Sequence, residues 1–212
     1  MQYAGTNRLA LNNMNCHIES LEKVGIKGRT GSGKSSIIST LLRFYEICGG
    51  RISIDNEDIH EIGLHCLRSG ISYISQTPFL MIGTVKYNLD PFEDHTEQDI
   101  IDALKDVQMW EYVHCLKDGI NTEITAGNML FSVGQKQLIC LARAILKNNM
   151  ILGMKIYYAF LDLTTVVTYS NIPDWFIYPS KLFYIALDEA TANIDYHNDK
   201  IIQEVIRSKF KH

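Results

Sequence analysis

An α/β fold built around a parallel or mixed sheet is predicted by three observations. Apolar runs suited to strands alternate along the chain with segments of helical spacing. A glycine-rich turn, Gly28-Arg29-Thr30-Gly31-Ser32-Gly33-Lys34-Ser35, stands between one such run and one such helix. An apolar run, Ile185-Ala186-Leu187, ends in two acids, Asp188 and Glu189, as a strand covered on both faces does where it emerges. At 212 residues the chain suits one domain, with middle helices that read as an inserted lobe. Hydrophobic residues make up 46% and charged residues 21%, which excludes wholesale disorder.

The elements follow in order. Leu9 and Leu11 begin a short strand, and Lys23-Val24-Gly25-Ile26 forms another that stops at the glycine-rich turn. From Ser35, residues Ile37, Ile38, Leu41, Leu42 and Phe44 recur at helical spacing, with Gly49-Gly50 as the stop. Arg51–Asp55 alternates as a half-buried strand closed by a turn at Asn56-Glu57-Asp58. Ile71–Ser75 is a strand ending at Gln76, and Asn88-Leu89-Asp90-Pro91 reads as a loop. Beyond Thr96, the spacing of Ile100, Leu104, Val107, Val113 and Leu116 predicts two short helices. A helix from Ser132 to Lys147 and a final one over Asp199–Lys209 complete the reading.

Residues 153–185 do not share this pattern. These 33 positions hold nine of the chain's 21 aromatic residues and only four charges. Lys155, Asp162, Pro173 and Pro179 interrupt them, so they do not read as a membrane span.

Charge and cysteines narrow the setting. A net charge of -4 gives no basic surface for nucleic acid. The five cysteines (Cys16, Cys48, Cys66, Cys115 and Cys140) are scattered and never form a CxxC pair. They predict reduced thiols rather than a disulfide framework or a zinc site. No charged head followed by an apolar stretch marks a signal peptide at the N-terminus.

Gly28 to Ser35 fits GxxxxGK[ST] at every fixed position and lies between a strand and a helix. Glycines there let backbone N–H groups turn inward around phosphate oxygens at a helix N-terminus. Lys34 would reach the β- and γ-phosphates of a nucleotide, and Ser35 would ligate Mg2+. A glycine-rich turn carrying a surface lysine is the plainer alternative. Asp188 and Glu189 supply what such a cradle lacks, a metal-holding carboxylate beside one that polarises water. A strand ending in a solvated acidic turn would look the same in isolation. Ser132 and Gln135 form the S-x-x-Q capping box of a well-made helix start. Capping does not explain Gly134, a poor helix former in the first turn, so a plain helix start and an anion-contacting helix end both stand as readings of these residues.

Taken in order, the cradle, Gln76 after a strand, Ser132-Val133-Gly134-Gln135 and Asp188-Glu189-Ala190-Thr191 resemble the nucleotide-binding domain of ATP-binding-cassette (ABC) transporters. Residues 16–36, 84–92 and 131–146 are similar to the second such domain of the multidrug-resistance-associated (C) subfamily. The likeness covers residues 3–152 and 186–212. It implies a P-loop ATPase core carrying an α-helical subdomain over residues 84–147, with ATP and Mg2+ as ligands.

The resemblance also implies roles. Tyr3 matches an aromatic that stacks on adenine, a terminal tyrosine with no such role being the other reading. Gly28, Arg29, Thr30, Gly31, Ser32, Gly33, Lys34, Ser35 and Ser36 hold the triphosphate. Gln76 senses Mg2+ and the attacking water, although Ser75 and Thr77 replace its usual neighbours. Ser132, Val133, Gly134 and Gln135 contact the γ-phosphate held by an opposite domain. Asp188 holds the metal, Glu189 is the general base, and Ala192-Asn193-Ile194-Asp195 matches the loop that follows. The partners implied are a second nucleotide-binding domain, packed head to tail, and membrane-spanning domains that place this one on the cytoplasmic face.

Two departures follow from the same comparison. The family's γ-phosphate-contacting histidine lies beyond this chain, His212 aligning with the preceding helix, and the family's first β-subdomain strand before Tyr3 is absent, so a fragment truncated at both ends is expected. Removing residues 153–185 would join Ile151-Leu152 to Ala186-Leu187-Asp188-Glu189 as one continuous strand. An intron read through in the gene sequence explains this, and a genuine insertion is the alternative. If translated, 182–187 would serve as the strand, with 153–181 as an exposed loop. A nucleotide-binding module with little turnover, a soluble ABC-type ATPase of DNA repair or translation, and a P-loop kinase are the competing functions.

Overall fold

The computed structural model describes residues 1–3, 5–7, 9–19, 22–27, 31–75, 77–126, 130–149, 151–154, 165–168, 183–187 and 196–209. In chain order they form β1 (Lys23–Lys27), α1 (Lys34–Leu41), β2 (Ser53–Ile54), β3 (Glu57–Asp58), α2 (Leu64–Ser69), β4 (Ile71–Ile74), β5 (Gly83–Thr84) and α3 (Val85–Leu89). There follow α4 (Glu97–Asp106), α5 (Trp110–His114), a 3-10 turn at Gly119–Asn121, β6 (Glu123–Ile124), α6 (Val133–Lys147), β7 (Ile151–Met154), β8 (Thr165–Thr168), β9 (Phe183–Leu187) and α7 (Tyr196–Lys209). The chain divides into two compact units, one of Met1–Tyr73 with Asn149–Ala190, the other of Ile74–Asn148 with Thr191–Lys211.

The first unit is organised by a five-stranded sheet in the order β4-β7-β9-β1-β8. β1 pairs in parallel with β9 (Val24 opposite Ile185) and with β8 (Val24 opposite Thr165), and β7 pairs in parallel with β9 (Leu152 opposite Tyr184). Val24, Gly25 and Ile26 are all buried, as a strand inside a parallel sheet requires. Helix α1 is eight residues long, short of the roughly 12–15 that an isolated helix needs. Burial therefore holds it. Ile38, Leu41 and Leu42 join Val24, Ile26, Ile59, Leu67, Ile71 and Ile151 in one apolar cluster, at about 1.5–3 kcal/mol per fully buried side chain.

Three sequence expectations are corrected in this unit. Among the described residues, Leu9 takes part only in an isolated bridge to Gln2. Helix α1 stops at Leu42 rather than at Gly49-Gly50, because Arg43 adopts a left-handed conformation (φ 51°). The freed carbonyls of Leu42 and Arg43 accept hydrogen bonds from Arg68 at 3.0 and 3.1 Å, which closes the helix early. The turn after β2 is at Asp55-Asn56, whose positive φ values (50° and 69°) belong to a tight hairpin. Glu57–Asp58 consequently form the returning strand, β3.

The second unit is built on α6. Helices α3, α4 and α7 pack against it, burying Ile100, Leu104, Leu138, Ile139, Leu141, Ile202 and Ile206. Thr96 and Asp99 close a capping box at the start of α4, and Asn148 ends α6 in the left-handed conformation. Asn88 and Leu89, expected in a loop, end helix α3. Thr84 caps that helix by accepting from the Tyr87 N–H at 3.0 Å. Helix α7 begins at Tyr196, three residues before the expected Asp199.

The expectation for residues 153–181 is also corrected. Thr165-Val166-Val167-Thr168, expected in an exposed loop, forms β8 beside β1, a place that β-branched residues suit. Phe183–Leu187 form the strand leading to the two acids, as the sequence allows.

Candidate functional site

The glycine-rich turn sits where β1 hands over to α1. Gly31 and Gly33 both adopt positive φ, 80° and 94°. A Cβ at Gly33 would fall 2.6 Å from the Ala10 carbonyl oxygen, so this position admits glycine alone. Gly33 occupies the residue before α1, and no side chain caps that helix. The first N–H groups of such a helix lie where an anion is favoured.

Two side chains sharpen the cradle. The Ser32 hydroxyl is buried and finds no hydrogen-bond partner among the described residues, a state that suits a group reserved for a ligand. Lys34, 6% exposed, is the first residue of α1. A cationic residue in the first turn, at the helix's positive end, favours a bound anion. Ser35 is exposed beside it, its hydroxyl open to a hard, oxygen-seeking cation. Ser36 is buried and its Oγ lies 2.7 Å from the Tyr3 hydroxyl. Tyr3 therefore stands at the first turn of α1, its ring centroid 4.7 Å from that of Tyr45 at an interplanar angle of 79°. Gly31, Ser32, Gly33, Lys34, Ser35, Ser36 and Tyr3 are thereby gathered around one helix start. Gly28, Arg29, Thr30, Gln76, Asp188, Glu189 and Ala192–Asp195 lie outside the described residues.

The second predicted helix start belongs to the other unit. Ser132 caps α6, accepting from the Gln135 N–H at 3.2 Å, while Gln135 Oε1 accepts from the Ser132 N–H at 2.9 Å. The capping box is complete on both sides. Val133 is 64% exposed, an apolar side chain left open at the first turn. A Cβ at Gly134 would lie 2.0 Å from Nδ2 and 2.8 Å from Cγ of Asn198, a buried residue of α7. Close helix packing thus supplies a reason for Gly134 that sequence reasoning missed, because Asn198 is 64 positions away.

A buried brace fixes the segment between β4 and α4. Arg143, on α6, donates to Asn88 O and Asn88 Oδ1 and, at 3.0 Å, to the Phe79 carbonyl. Asn88 is wholly buried, and its amide pairs with both backbone groups of Met81. Nearby, burial pushes the Asp90 carboxyl upward, but the N–H groups of His95 and Asp94 and the His95 ring outweigh it. The carboxyl is held below the usual carboxylate range. The sequence reads Asn88 and Asp90 only as part of a loop and does not single out Arg143, since an arginine at helical spacing looks like any solvated cation.

The cradle geometry agrees with what the chain is similar to. A family model described as ABC transporter matches residues 11–154. The chain belongs to the ABC transporter family. It is 42% identical over 210 residues, 99% of its length, to human ATP-binding cassette sub-family C member 4. It is also 42% identical over 194 residues to the probable multidrug resistance-associated protein lethal(2)03659 of Drosophila melanogaster. ABC transporter C family MRP4 of Zea mays is 39% identical over 211 residues. The chain is therefore an ABC transporter ATP-binding domain homologous to C-subfamily members, spanning 12–13% of the length of these relatives. Among the described residues no helix is long and apolar enough to cross a membrane.

Proposed function

We propose that this domain is the second of the two nucleotide-binding domains of an exporter of the multidrug-resistance-associated type, and that it binds and hydrolyses MgATP. The carrying observation is the cradle: a glycine that tolerates no side chain, a buried serine hydroxyl without a partner among the described residues, and a buried lysine that opens a helix behind a left-handed glycine. Gly28 to Gly33 turn their amides to the phosphates, Lys34 neutralises the β- and γ-phosphates, and Ser36 closes the first turn. Ser35, Gln76 and Asp188 would hold Mg2+, which when bound would supply neutralising charge for the phosphates. Glu189 accepts the proton of the attacking water, and Tyr3 stacks on the base.

Catalysis here consists of positioning and charge stabilisation, with little covalent work for the protein. Ser132, Gly134 and Gln135 serve the ATP held by a second, head-to-tail domain, so a lone domain turns over slowly. Hydrolysis releases the pair and drives membrane domains at whose cytoplasmic face the domain sits. Residues 84–147 act as its helical subdomain. Residues 153–185 derive from an unspliced intron, and transcript reads retaining those codons would contradict this.

The test is phosphate release by the chain alone and mixed with a competent second domain. The proposal expects Mg2+-dependent release, stimulated by the partner and abolished by Glu189→Gln with ATP still bound. Unchanged release by Glu189→Gln would overturn it.

A further inference from the structure

The site as read from the sequence has one aromatic for the base, Tyr3, but the structure surrounds that ring. Its hydroxyl is tied to Ser36 Oγ at 2.7 Å, in the first turn of α1. Its ring meets Tyr45 nearly perpendicular, at a centroid separation of 4.7 Å. Tyr45 lies beyond the far end of α1 and is 42% exposed. A tyrosine with both ends of its ring held has lost the rotamer freedom that would otherwise be lost on binding. The edge-to-face pair leaves two flat surfaces at right angles, a corner that suits a planar ring. A ligand anchored by its phosphates on Gly31–Lys34 must carry its sugar and base past the same helix turn.

We propose that Tyr45 is a positioning residue for nucleotide base recognition, holding Tyr3 so that the two rings form an aromatic corner beside the phosphate cradle. This rests on the reading of Tyr3 as the base-stacking residue. Tyr45 thereby adds selectivity for a nucleoside triphosphate over a bare polyphosphate, which the cradle alone does not provide. Edge-to-face pairs and base stacking are each strong enough to change affinity by about threefold to tenfold.

Calorimetric titration of the 212-residue chain with MgATP and with magnesium tripolyphosphate tests this. Tyr45→Ala is expected to weaken MgATP about threefold to tenfold and leave tripolyphosphate within about twofold, with Tyr45→Phe close to the parent. Tyr45→Leu, which keeps apolar bulk, controls for loss of folding and is expected to behave as Tyr45→Ala. Equal weakening of both ligands, or no effect on either, overturns the inference. Tyr3→Ala separates the two levels. If it leaves MgATP unchanged, the stacking reading itself fails. If it weakens MgATP while Tyr45→Ala does not, only the role of Tyr45 falls.

Discussion

Gly134→Ala separates two explanations of one residue. Intrinsic helix propensity favours the change by about 1 kcal/mol, since glycine is the poorer helix former. Packing opposes it, because the new methyl would lie 2.0 Å from Asn198 Nδ2, 2.8 Å from Cγ and 3.1 Å from Cβ. Asn198 is 7% exposed, so its side chain cannot simply swing into solvent. Overpacking of this kind costs about 1–3 kcal/mol, which leaves a net loss of about 1 kcal/mol and a midpoint about 2–4 °C lower. Thermal unfolding followed by circular dichroism measures this. Asn198→Ala removes the two closest atoms and leaves only Cβ at 3.1 Å. The double variant should therefore be more stable than the sum of the single effects, by about 1 kcal/mol. A Gly134→Ala chain that melts at or above the parent, or strict additivity, would refute the packing argument and leave the anion-contact reading as the reason for that glycine.

Gly33→Ala combines a left-handed backbone with a clash against a backbone oxygen that has no rotamer to change. Binding of MgATP, measured by calorimetry, should fall more than about tenfold, since the strain alone costs about 1–2 kcal/mol. Arg143→Lys cannot reach all three acceptors on Phe79 and Asn88. It should lower stability in urea by about 2–4 kcal/mol, a lysine being no substitute for a fixed fork of donors. Asp90→Asn should destabilise the chain in a pH-dependent way. The folded carboxyl titrates below its ordinary range, so its contribution is full above the unfolded value of about 3.9 and fades as pH falls through the folded one. Urea midpoints of parent and variant should differ at neutral pH and converge in acid.

The parts of this fold legible beforehand were those whose cause is local. The helix from Ser132 announces itself by a cap and by apolar spacing, and both are realised. The glycines of the cradle are readable because only their backbone freedom allows the turn. Ile100, Leu104 and Val107 fall on the buried face that their spacing indicates. What was not legible depended on residues distant in sequence. The early end of α1 needs Arg68 to reach Leu42 and Arg43. The crowding of Gly134 needs Asn198, and the tie on Tyr3 needs Ser36 and Tyr45. The hairpin at Asp55-Asn56 was displaced because either of two adjacent polar clusters could turn. β8 escaped notice because four β-branched residues gain a strand only when an edge such as β1 accepts them.

The central claim is that a nucleotide's phosphates complete the start of α1. Equilibrium titration of MgATP into the parent chain and into Lys34→Ala, each with and without EDTA, tests it most directly. The account predicts saturable binding by the parent that weakens when the metal is chelated, and binding too weak to detect in the variant. Equal affinity in the two chains, indifferent to magnesium, would contradict it.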